Sequence, residues 1–169
     1  MKNLLFGILL GCFALISCTG EEDSFQKIDQ IIHFYIEDAA GNDLLIPSTI
    51  GSYTTVSMND VLAATDVAPV SYSPKTDANS KNVLEYVAGA TRQLQSGQDS
   101  DDRIYRSRIR VALTKKLTDS TFAEPVNDTL EILYRWTPEV FSVSKVSYNN
   151  SELPLTKDSE NRNVVKIIK

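Results

Sequence analysis

The chain of 169 residues has two cysteines, Cys12 and Cys18, and none beyond them. Residues 19–169 therefore hold no disulfide, no cysteine metal site and no cysteine nucleophile. There is one histidine, His33, and a lone imidazole makes neither a zinc site nor a catalytic triad by itself. No GxSxG elbow, HExxH helix, GxGxxG turn or phosphate loop is present. Carboxylates are plentiful, so no pair singles itself out for glycosidase chemistry. Positive charge is in short supply. The net charge of −5 argues against nonspecific nucleic-acid binding, which needs a basic face to displace counterions. No apolar run reaches the roughly 20 residues that a membrane-spanning helix needs. The expectation is a protein that is not an enzyme and takes no cofactor.

What is present is concentrated at the start. Lys2 is followed by an apolar run over residues 4–16, then Leu15-Ile16-Ser17-Cys18, then Glu21-Glu22-Asp23. A basic start, a short apolar region and a small residue before the cut form the layout of a secretory signal. Cys12 is the poorer candidate for the cut, since the apolar region before it would be very short. The Leu-Ile-Ser-Cys sequence resembles the lipobox of bacterial lipoproteins. That resemblance implies removal of residues 1–17 and lipid on Cys18. Residues 18–27, lipidated and acidic, then form a tether. Such a segment is similar to that of Bacteroidota-type outer-membrane lipoproteins, where it accompanies export to the cell surface. The implied location is the outer membrane, lipid-anchored and surface-exposed, with a periplasm-facing domain as the alternative.

The remaining residues, 28–169, read as one domain, long enough to bury a core without staples. Within residues 28–37, Ile32, Phe34 and Ile36 alternate with Ile31, His33, Tyr35 and Glu37, a period of two. Residues 104–117, 129–137, 141–148 and 163–168 read as further strands, and Asn149-Asn150-Ser151 as a turn. Residues 57–65 read as one or two helical turns, with Ser57 or Asn59 as cap. Residues 83–94 fit a helix or a strand. A strand paired with residues 104–113 across the 96–102 loop is favoured. Many short strands with turns between them point to an all-β fold, an antiparallel, immunoglobulin-like sandwich, with a small β-barrel as the alternative.

Three features carry candidate chemistry. Arg106, Arg108 and Arg110 alternate along a strand, so three guanidiniums line one face about 6.6 Å apart. They could grip an acidic glycan or a partner's acidic edge, or pair with a cross-strand carboxylate such as Glu85. Asp99, Asp101 and Asp102 offer oxygen ligands suited to calcium, but Arg103 takes the fifth position of an EF-hand pattern and the closing Glu is missing. A solvated hairpin tip is the expected role. Asp119-Ser120-Thr121 and Asp128-Thr129-Leu130 resemble the O-glycosylation acceptor of such bacteria, which makes Ser120 and Thr129 candidates. Tyr134 and Trp136 share a face with Leu130 and Ile132 and are expected in the core. The working expectation is a noncatalytic surface module that binds a glycan or protein. The alternative is an accessory subunit of an outer-membrane or pilus-type assembly.

Overall fold

A computed structural model describes residues 25–169. Cys18, the signal segment and most of the tether lie outside the described residues. Among the described residues there is no helix, and two sheets pack as an all-β sandwich. The larger sheet runs β1 (Lys27–Asp29), β9 (Val140–Tyr148), β8 (Val126–Trp136), β7 (Arg103–Lys115), β3 (Tyr53–Asp60). β10 (Ser151–Leu153) pairs with β9, and β6 (Gln93–Ser96) with β7. The smaller sheet runs β11 (Thr156–Lys157), β12 (Asn163–Ile168), β2 (Ile32–Glu37), β5 (Asn82–Tyr86), β4 (Ser73–Thr76).

The expectation of a purely antiparallel sandwich needs correction. β1 pairs with β9, and β12 with β2, in parallel. β1 belongs to the larger sheet and β2 to the smaller, so residues 30–31 carry the chain from one layer to the other. β12 then fills the place between β2 and β11 and runs the same way as β2.

Alternation places the core. Ile109, Val111, Leu113, Leu130, Ile132, Tyr134 and Val146 project from the larger sheet onto Ile32, Phe34, Ile36, Tyr86, Val165 and Ile167 of the smaller, and all of these are buried. Burial of this apolar surface is the main stabilising term in a domain without disulfides. Trp136 packs partly buried against the same cluster, as its face predicts.

Two segments depart from expectation. Residues 57–65 hold no helical turn. The chain from Tyr53 to Asp60 alternates with a period of two, burying Met58 and Asp60, and β7 supplies the ladder partners. Ladder hydrogen bonds and burial override the weak capping signal. Residues 83–94 are not one strand. β5 pairs with β2 in the smaller sheet, the chain crosses over at Gly89 (φ +126°), and only β6 reaches β7. β3 and β6 thus share one edge of β7 end to end. Buried Asp60 seals the junction, accepting the amides of Thr91 and Leu62. Glu85 lies in the opposite layer and cannot pair with the arginine row.

Turn chemistry follows the sequence closely. Asn149 and Asn150 both take positive φ between paired Tyr148 and Ser151, the requirement of a tight two-residue hairpin. At the β6–β7 tip, Gly97 has φ +81°, and a Cβ added there would lie 2.1 Å from the Asp102 carbonyl oxygen. Gly97→Ala is expected to cost about 1–3 kcal/mol, through strain and forced opening of the tip. Denaturant unfolding checks this.

Candidate functional site

β7 turns Ser107, Ile109 and Val111 inward and Arg106, Arg108 and Arg110 outward. The row forms because β7 is held straight along its length by β8, with Arg106 opposite Leu133, Arg108 opposite Glu131 and Arg110 opposite Thr129. Arg106 is engaged: it donates to Gln93 Oε1 at 3.2 Å and lies 3.9 Å from Glu131. Among the described residues, Arg108 and Arg110 form neither an ion pair nor a side-chain hydrogen bond. Arg110 borders a shallow hollow of about 490 Å³, floored by Met58, Pro69 and Ala112. Exposed Val67 stands at its rim. The hollow is also lined by Ser57, Asn59 and Asn127, so the face offers two free guanidiniums beside a recess of mixed polar and apolar character.

A second concavity was not visible in the sequence. Alternation in β2 puts His33, Tyr35 and Glu37 on the face opposite Ile32, Phe34 and Ile36, and these three are buried as well, at 4%, 9% and 3% exposure. Two turns cover them. Asp77 to Lys81 and Asp158 to Arg162 have the same construction, and so does Asp38 to Asn42. In each, the aspartate side chain accepts two backbone amides and its carbonyl accepts a third. The fourth residue (Gly41, Ser80, Asn161) takes positive φ. The signal was readable: Asp, then three positions later a residue tolerant of the left-handed region. Because β5 is antiparallel to β2 and β12 parallel, the 77–81 turn sits at the Glu37 end of β2 and the 158–162 turn at the Ile32 end.

Between these turns runs a groove of about 420 Å³. Tyr35 forms its floor, with its hydroxyl donating to Asp77 at 3.1 Å. Burial, then Asp77, pushes the Tyr35 phenol up to about 12. Lys81 donates to Glu37 at 2.6 Å and Lys166 lies 3.3 Å from the same carboxylate. Burial alone would raise Glu37, but these two ammonium groups outweigh it and hold the carboxyl below its usual range. At Asp158, burial also works upward and is outweighed by donors from Arg162 and Glu160. The groove continues into an arm of about 200 Å³ bordered by His33, Lys75, Glu85 and Arg162. There His33 Nε2 meets Glu85 at 3.0 Å, and Glu85 is held low, first by that hydrogen bond.

The other candidates have definite places. Asp102 gives both carboxylate oxygens to Arg135, at 2.7 and 2.8 Å, which leaves Asp99 and Asp101 exposed at the hairpin tip. Among the described residues, no three His, Cys, Asp or Glu side chains are placed to hold a metal ion. Ser120 is exposed in the loop after β7. Thr129 lies within β8 and is half-buried. The acidic member of its triplet, Asp128, is buried and bound by Tyr148, Asn149 and Lys169. Of the two candidate positions, Ser120 is therefore the exposed one. No protein-family model, no curated protein and no solved structure matches this chain.

Proposed function

We propose that this chain is a noncatalytic, lipid-anchored surface protein that binds an anionic glycan or protein segment through the outer face of its larger sheet. The single observation that carries the reading is the unpaired state of Arg108 and Arg110 in a chain of net charge −5. An acidic protein has carboxylates to spare for its cations. Two guanidiniums left free in a row, next to a hollow that also carries Ser57, Asn59 and Asn127, suit a ligand that brings its own negative charge. The noncatalytic part is supported by Glu37 and Asp158 of the groove, which are ion-paired and drawn below their usual range, away from the raised value that a general acid near neutral pH needs.

The anchoring part rests on the lipobox and acidic tether, with display at the cell surface as the favoured orientation and a periplasm-facing domain as the alternative. Assembly into a larger complex gains less support. The outer strands of the smaller sheet are short, and exposed β4 carries Pro74 and Lys75, which discourage pairing with another chain.

The test is the double charge reversal Arg108→Glu, Arg110→Glu in the full chain. It is expected to weaken binding to a sulfated polysaccharide by about 100-fold or more, with the fold retained and only a small fall in unfolding midpoint, because a carboxylate at position 108 stands opposite Glu131. Each lost charge-assisted contact is worth about 1.5–3 kcal/mol. Binding within threefold of the parent chain would remove the arginine face from the account.

A further inference from the structure

We propose that the groove across the outer face of the smaller sheet is a second binding site, for a neutral, hydroxyl-rich ligand of the saccharide class. The inference rests on the binding-module reading and is independent of the arginine row. Three observations carry it.

The first is shape. The outer face of a sandwich sheet is usually a flat, solvated surface. Here two rigid turns rise over it and leave a trough with an arm, about 420 and 200 Å³. Both turns are locked by the aspartate hydrogen bonds described above, so the walls are formed before any ligand arrives, and little ordering cost remains for binding.

The second is charge. The trough is lined by four cationic and four carboxylate side chains. Most of them are held in close pairs: Lys81 and Lys166 with Glu37 at 2.6 and 3.3 Å, and Arg162 with Asp158 and Glu160 at 2.8 Å each, while Lys157 is held by Asp29 beyond the trough. A charged ligand would have to break such pairs. A neutral polyol would not, since paired ammonium groups and carboxylates keep free donors and acceptors for hydroxyls. Tyr35 adds an aromatic floor whose phenol stays protonated across the ordinary pH range. This balance separates the trough from the arginine face, which favours anions.

The third is an unpartnered atom. His33 is 4% exposed. Its Nε2 is held by Glu85, and its Nδ1 has no hydrogen-bond partner. The Nε2 proton points to the Glu85 carboxylate, and Nδ1 is left without a partner. A buried polar atom without a partner is costly. His33 lines the arm of the trough, so its ring senses whatever hydroxyl enters there.

The test uses the full chain, extracted from membranes in detergent. The probes are neutral hexasaccharides of glucose, mannose and xylose, with a sulfated polysaccharide as the anionic comparison. Calorimetry should detect at least one neutral hexasaccharide. Lys166→Ala and Asn79→Ala, both on the exposed rim, should each weaken it by about tenfold, with the unfolding midpoint unchanged for Asn79→Ala and lowered for Lys166→Ala, which also loses its pair with buried Glu37. The His33 Nδ1 resonance should move when the same saccharide is added. No binding of any neutral probe at millimolar concentration would overturn the proposal. So would binding that neither rim variant weakens, or a ring resonance that stays in place. Binding of the sulfated polymer alone would sink this site while leaving the arginine face standing.

Discussion

Asp128→Ala is expected to lower the unfolding free energy by about 3–5 kcal/mol, a fall in midpoint of roughly 10 °C for a domain of this size. Asp128 is 6% exposed and receives Tyr148 Oη at 2.9 Å, Asn149 Nδ2 at 2.6 Å and the Lys169 ammonium. Lys169 follows β12 of the smaller sheet, and Asp128 lies in β8 of the larger. The pair therefore ties the two layers together at one end. Truncation removes one acceptor and strands three donors, one of them charged, in a place with little water. Asp128→Asn should recover part of the loss, because its carbonyl oxygen still accepts.

The same group sets a pH dependence. Burial alone would raise the Asp128 carboxyl, but Asn149, Lys169 and Tyr148 outweigh it, so its folded value lies below its unfolded one. A depressed carboxyl contributes stability that is full above the unfolded value near 3.9 and is lost as pH falls through the folded value. Glu37, Asp77 and Asp158 are depressed in the same sense. Stability should hold from pH 7 to about pH 5 and then fall steeply. Asp128→Ala should fall less steeply, since one of the titrating groups is gone. Unfolding midpoints measured between pH 2 and 7 for both chains check this.

Cys18→Ala is the second change with a large expected outcome. It should move the protein from the membrane fraction to the soluble fraction of lysed cells. The attachment proposed here is the lipid on Cys18; among the described residues no helix is long and apolar enough to cross a membrane. Each buried methylene of an acyl chain contributes about 0.8 kcal/mol, and several chains make release negligible. Cys12→Ala should leave the distribution unchanged. A Cys18→Ala protein that still sediments with membranes would refute the lipid anchor. Protease added to intact cells separates the two orientations, since a surface domain is degraded and a periplasm-facing one survives.

Local alternation made the strands legible. The arginine row, the Tyr134–Trp136 face, the Asn149–Asn150 turn and the run that becomes β12 all follow from which residue types recur every second position. What alternation does not carry is the identity of a strand's neighbour. Residues 83–94 look like one β-rich stretch, yet β5 and β6 belong to different layers, because Leu84 faces Phe34 in one ladder and Leu94 faces Tyr105 in another. That crossing places Glu85 in the smaller sheet, away from the arginines. The groove was hidden for a related reason. Alternation assigns His33, Tyr35 and Glu37 to the second face of β2 but does not say what covers it, and the turns at residues 77–81 and 158–162 convert that face into a lined trough. Those turns recur as an Asp followed three positions later by Gly, Ser or Asn, a spacing too sparse to register as a repeat.

The arginine face is the centre of the functional account, and its salt dependence tests it most directly. Affinity of the full chain for a sulfated polysaccharide should be measured from 50 to 500 mM salt, alongside Arg108→Glu, Arg110→Glu. The account predicts that the parent chain loses affinity steadily as salt rises, because exposed charges are screened within about 10 Å at 0.1 M, and that the double variant binds weakly with little salt dependence. Affinity that is the same for both chains, or that does not change with salt, would contradict it.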